Sequence, residues 1–228
     1  GGEYISGDGT DLTITSGNDI VLAVGTTGSV YHTGDGGTSN TIYGKNAGDA
    51  LASGGNLNAL FGEGAGTDLT TGVNNVAVGY HTLYQGTTES DDNVAIGYNA
   101  MSGAWTTAVV NDCVVIGSGA GAGALVAAAS GLTAVGTAAG AAVTAGAKNT
   151  FVGYQSGTAI TSGLRNTAIG YQSLFTDDDG DQTTAVGIWS CYTQNIANAT
   201  SGNTAIGYSS LYENTTGTNN TAIGHRAA

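Results

Sequence analysis

Proline is absent from the chain, and only four of its 228 residues are basic: Lys45, Lys148, Arg165 and Arg226. Without proline every backbone N–H is free to donate to a β-ladder, so long uninterrupted strand pairing is allowed. Against 17 acidic residues the four cations leave a formal charge of −13, which repels phosphate backbones and excludes nucleic acid as a partner. That charge reads as solvated surface keeping a β-rich chain soluble. Cysteine is scarce too: Cys113 and Cys191 form no CxxC pair, no zinc-ligand spacing and no disulfide framework. Residues 113–147 contain no charged side chain, but Gly, Ala, Ser and Thr dominate them, a composition that suits tight winding better than a membrane span. The chain opens on Gly1-Gly2 rather than methionine, the pattern of a processed chain or a fragment.

What the chain does have is glycine, 40 residues of it, placed periodically. One unit, written most clearly as NTAIGYQSL at 166–174, recurs with its glycine at Gly44, Gly62, Gly79, Gly97, Gly117, Gly136, Gly153, Gly170, Gly187, Gly207 and Gly224, in steps of 17 to 20 residues. Repeats of this length stack as a one-dimensional solenoid. Residues 1–39 lack the unit; there DLTITSGNDIVLAV alternates apolar residues around Ser16-Gly17-Asn18-Asp19, as in two short strands and a turn. The expected organisation is therefore a β-structured leading segment or cap over 1–39, covering the open edge of the first coil, followed by a repeat β-solenoid over 40–228. About four coils separate the two cysteines, roughly 19 Å at a strand spacing of ~4.8 Å, which predicts free thiols.

The columns of the repeat point to a strand. The residue before the glycine is always large, as in Val78, Ile96 and Ile169, and two positions earlier stands Thr or Val in ten of eleven copies. These slots share one face of a β-strand and favour β-branched types, so this face is expected to point into the coil. The opposite face carries Ala in seven copies, Ala168 among them, and then the glycine, for example Gly79, Gly97, Gly170, Gly207 and Gly224. A small-residue column of this kind predicts close approach of a second backbone, supplied by identical chains around a symmetry axis; a homotrimer is the natural closed solution, with a dimer as the alternative. Four before the glycine stands Asn in eight copies, including Asn75, Asn93, Asn166, Asn203 and Asn220. Such amides can bond from coil to coil at a corner, while an amide-lined sugar ladder is the functional alternative. Tyr follows the glycine in five copies, a column that reads as cover for the sheet, with sugar binding as its alternative.

Candidates for chemistry are few. Asp177-Asp178-Asp179-Gly180-Asp181 gathers carboxylates beside a glycine turn, as a calcium loop does, yet it lacks EF-hand spacing and the distal Glu; it reads as a solvated acidic loop. His32, His81 and His225 lie in separate coils, so a histidine metal site would need a trimer axis to assemble it. The Gly-rich run at 117–123 lacks the GK[ST] of a phosphate loop. Asn198, Asn214 and Asn219 begin N-x-T sequons that matter only in a eukaryotic secretory pathway. No segment interrupts the repeat long enough to build a catalytic pocket, so a non-enzyme without cofactor or metal is expected.

The iterated NTAIGYxxL unit with tails such as LYENTTGTNN resembles the repeats of bacteriophage tail-fibre and related surface-fibre proteins, and is similar to the NSVAIG-type head repeats of bacterial trimeric autotransporter adhesins. Separately, GDGTDLTITSGNDI (7–20) resembles segments common in virion structural proteins of marine phages. The resemblance implies an all-β, left-handed parallel β-roll or β-solenoid of about eleven short coils, assembled as a homotrimer and about 50 Å long over its rungs. It implies a place on a virion, or alternatively on a bacterial cell surface, with other virion fibre proteins and a bacterial surface glycan or protein as partners. The coils here are longer than the most compact adhesin coils, and no chaperone, coiled-coil stalk or membrane anchor is visible. An ice-binding solenoid is a third reading, set aside because the motif threonine is flanked by Ala and Ile rather than arranged as TxT.

Overall fold

The computed structural model describes residues 39–85, 89–103, 109–126, 129–196 and 200–228. The leading segment expected over 1–39 therefore lies, apart from Ser39, outside the described residues. Each repeat contributes one three-residue strand: β1 (Thr41–Tyr43), β2 (Ala59–Phe61), β3 (Val76–Val78), β4 (Val94–Ile96), β5 (Val114–Ile116), β6 (Thr133–Val135), β7 (Thr150–Val152), β8 (Thr167–Ile169), β9 (Thr184–Val186), β10 (Thr204–Ile206) and β11 (Thr221–Ile223). All eleven form one sheet in sequence order. Every neighbouring pair is parallel and in motif register, as in Thr167↔Thr184, Ala168↔Ala185 and Ile169↔Val186. The protein is a parallel β-solenoid, with no α-helix among the described residues. The uncharged stretch belongs to this sheet through β5 and β6, and no described helix is long and apolar enough to cross a membrane.

Parallel pairing with one strand per coil means that each backbone group bonds to the coil before or after it. Thr150 N donates to Asn166 O at 2.8 Å, and Gly170 N to Val152 O at 2.8 Å. The ladder runs past the strand into the turn, where Gln172 N donates to Tyr154 O at 2.9 Å and Leu174 N to Ser190 O at 2.9 Å. The repeat glycine is required here for two reasons. Gly170 has φ +136, and a Cβ built on it would lie 2.5 Å from the carbonyl oxygen of Gly187. The close approach expected at the glycine column is therefore real, but the backbone that approaches is the next coil of the same chain.

Which face points inward is the reverse of the sequence expectation. Ala77, Ala95, Ala134, Ala168, Ala185 and Ala205 are completely buried within the single chain, and the flanking Thr/Val and Ile/Val residues face out, Ile169 with 39% and Ile206 with 38% of its surface exposed. The strand gives only small residues to the interior because the turn brings in large ones. Leu83, Met101, Leu174 and Leu211, four after their glycines, are buried opposite Ala77, Ala95, Ala168 and Ala205. Where the mid-strand residue grows, that turn residue shrinks to glycine. A Cβ on Gly66 would meet Leu60 at 3.0 Å, one on Gly121 would meet Val115 at 3.1 Å, and one on Gly157 would meet Phe151 at 2.6 Å. This reciprocal sizing keeps a narrow coil filled at near-crystalline density. Ala168 is thus an interior residue, whereas Ile169 belongs to the outer face.

The Asn column is an internal ladder. Asn58, Asn75, Asn93, Asn149, Asn166 and Asn203 are at most 1% exposed. The Asn166 side chain donates through Nδ2 to Gly180 O at 2.7 Å, and its Oδ1 accepts the Thr183 backbone N–H at 2.8 Å. Asn75 repeats this toward Ser90 O at 2.8 Å and Asn93 N at 3.1 Å. Asn203 donates to Gly217 O at 2.7 Å and accepts from Asn220 N at 2.8 Å. Both ends of the amide thus bond to backbone groups, which answers the cost of burying a polar side chain and pins coil to coil.

Candidate functional site

The interior changes character in the last coils. Seven residues after the glycine, Leu69, Val143 and Ile160 fill the core, but the next two coils place Asp177 and Gln194 in that slot. Both are fully buried. Asp177 Oδ2 accepts from Gln194 Nε2 at 2.6 Å, and its Oδ1 accepts from Gly180 N and Ile196 N at 3.1 Å each. Gln194 also donates to Thr183 Oγ1 at 2.8 Å and accepts from Asn203 Nδ2 at 2.8 Å. Burial pushes the Asp177 carboxyl above its ordinary range, against the lowering effect of these donors. The acidic loop is therefore not simply a solvated corner, because its first residue is a core residue.

Two other carboxylates of that loop turn to separate partners. Asp179 Oδ1 accepts from Thr161 Oγ1 at 3.1 Å and from Ser162 Oγ, and Asp181 Oδ1 from Leu164 N at 2.7 Å. Asp178 Oδ1 is buried with no hydrogen-bond partner. Among the described residues no group of three or more His, Cys, Asp or Glu is gathered as a metal would require. His81 is stacked between Tyr80 at 3.8 Å and Tyr84 at 3.9 Å, and His225 stacks on Tyr208 at 5.1 Å; His32 lies outside the described residues.

Both cysteines are buried and free. Cys191 occupies the turn slot that Leu174 and Leu211 fill in neighbouring coils, and burial, with a smaller push from the Asp177 charge, raises its thiol to about 12. Cys113 stands in the Asn column, its thiol also raised by burial. Thiols so far from ionisation are poor nucleophiles and pack as small apolar groups.

Exposed and half-buried aromatic side chains form two columns. One follows the glycine: Tyr80 stacks on Tyr98 and Tyr154 on Tyr171, each at 5.4 Å. The second, five after the glycine, stacks Phe175, Tyr192 and Tyr212 at 5.1 and 5.0 Å with interplanar angles of 4° and 1°. Between the columns at the last coils opens a cavity of about 420 Å³, lined by Trp189, Tyr208, Ser209, Tyr212, Glu213, Arg226 and Ala228. Sequence reasoning missed this concave feature. The signal was present: two after the glycine, the column Gln155, Gln172, Trp189 drops abruptly to Ser209 before Arg226.

Three features thus stand as surfaces or sites: the outward sheet face, the aromatic columns and the notch between them. The Asn and Gly positions named from the sequence are interior and backbone elements instead. Comparison with models of protein families, with curated proteins and with solved structures finds no match.

Proposed function

We infer that the chain is a non-enzymatic structural and adhesive fibre segment of a phage virion, a rigid homotrimeric shaft whose lateral columns contact the bacterial surface. The observation carrying this reading is the outward face of the eleven-stranded sheet. Its ranks of Thr/Val and Ile/Val include Val114 at 37%, Ile169 at 39%, Ile206 at 38% and Ile223 at 68% exposure, and Phe61 stands in the second rank at 39%. A regular apolar face of this length is a surface for another protein, and identical chains bring identical, self-complementary ranks. The burial missing from a narrow coil is supplied on this face, not at the Ala column. Resemblance of the repeats to phage fibres supports the virion setting; the same resemblance to adhesin heads supports a bacterial cell-surface head as the second reading, which a coiled coil and β-barrel anchor downstream in the full gene distinguish.

Sedimentation equilibrium of the purified chain tests the assembly. The expected result is a mass of three chains, and a stably folded single chain overturns the shaft reading.

A further inference from the structure

Ser209 interrupts the run of larger side chains that starts at Gln155 in the slot two after the glycine. In the coils before it, Gln172 Nε2 donates to Gln155 Oε1 at 2.8 Å and Trp189 Nε1 donates to Gln172 Oε1 at 3.0 Å, so the column is continuous up to the indole. The serine side chain then stops short, and Arg226 stands in the same slot one coil further on. Beside Ser209 opens a cavity of about 420 Å³, within the ~300–1,000 Å³ range of small-molecule pockets.

Its walls are aromatic and already fixed. Trp189 is held by its bond to Gln172 and packs edge-on against Tyr208 at 5.6 Å and 61°, Tyr208 stacks on His225 at 5.1 Å and 11°, and Tyr212 stacks on Tyr192 at 5.0 Å and 1°. Rings locked by neighbours lose little freedom when a ligand arrives. At the rim stand an acceptor, the Glu213 carboxylate, and a donor fork, the Arg226 guanidinium, with Ser209 nearly buried between the walls. This combination fits a ligand with an apolar face and a polar edge. A pyranose presents its C–H face to a ring, and its hydroxyls both donate to a carboxylate and accept from a guanidinium. One cation beside one carboxylate, in a chain of charge −13, selects a neutral sugar over an anionic one and disfavours nucleotides.

We propose that the notch between Trp189, Tyr208 and Tyr212 binds one neutral pyranose unit of a cell-surface glycan. This rests on the surface-contact reading above and names the class of its ligand. The test uses the full chain carrying Trp105→Phe, which leaves Trp189 as its sole tryptophan. Tryptophan emission and saturation-transfer NMR are followed during titration with the methyl glycosides of glucose, galactose, mannose, N-acetylglucosamine and rhamnose. At least one glycoside is expected to shift the emission saturably and receive transfer at its ring C–H protons. Ser209→Trp continues the column with the residue that the preceding coil already holds at φ 57; it is expected to fill the notch and abolish binding while leaving thermal melting unchanged. Tyr208→Ala and Glu213→Gln are each expected to weaken binding by about tenfold, and Tyr98→Ala, in the aromatic column outside the notch, to leave it unchanged. Absence of binding by all five glycosides overturns the proposal, as does binding that survives Ser209→Trp. Because sedimentation reads assembly separately, a trimer that binds no sugar refutes this site alone, and a sugar-binding monomer refutes the shaft alone.

Discussion

Ala168 and Leu174 are both fully buried in the same coil interior, and such interiors are close-packed. Ala168→Leu is therefore expected to destabilise folding of the coil by about 1–3 kcal/mol through overpacking, whatever the oligomeric state. Adding Leu174→Gly recreates the pairing of Leu60 with Gly66 and also removes a side chain from a residue at φ 50. Urea denaturation of the double variant should return to within about 1 kcal/mol of the parent; a double variant as unstable as the sum of the singles refutes reciprocal sizing. Asp177 makes a second residue-scale prediction. Its folded carboxyl is raised from 3.8 by burial, so between the two values the folded chain binds more protons than the unfolded one. The stability this site contributes is then full below 3.8 and is lost as pH rises through the folded value. Melting of the parent relative to Asp177→Asn, followed as pH rises from below 3.8, should fall; a constant difference contradicts the assignment.

At the scale of the element, the repeat glycine is where strand, turn and stacking meet. Gly170→Ala puts a Cβ against the Gly187 carbonyl at a φ of +136, two penalties together, and is expected to cost about 3 kcal/mol. Gly119→Ala is the control: its φ of +63 matches Ala138 in the same slot, and nothing lies within 4 Å of the added atom. That change should cost only the left-handed backbone penalty of about 1–2 kcal/mol by denaturation, and equal losses at the two glycines argue against the stacked-glycine ladder. The period, strand, corner Asn and stacked glycine of each element were legible because each imposes a residue type at a fixed interval. The inward face was not. Period-2 alternation tells which residues share a face, but both faces of the strand Thr-Ala-Ile carry residues that tolerate burial, and size alone suggested the wrong one. Only the turn residues, unrelated to the strand by any period, reveal which side is already full. The notch shows the same limit, since Ser209 is an ordinary residue until Trp189 and Arg226 are seen above and below it in one column.

For the stack as a whole, assembly through the outward face predicts a particular sensitivity. Ile169→Lys combined with Ile206→Lys places charge on that face without touching the coil interior, where Ala168 and Ala205 remain buried. Sedimentation should then show the mass of one chain, with strand content by circular dichroism retained; a trimer that persists moves the interface elsewhere on the coil. By itself the sequence determined a β-solenoid of eleven in-register strands, an Asn ladder bonding coil to coil and a close backbone approach at the glycine column, because each of these is a periodic demand on residue type, though not that the approaching backbone belongs to the same chain. Only the tertiary structure decided that alanine lies inside and isoleucine outside, that Asp177 is a core residue, and that an open notch lies between two aromatic columns. Those outcomes depend on which volumes the turns deliver to each coil and on what stands in the coils above and below, quantities that no single repeat carries.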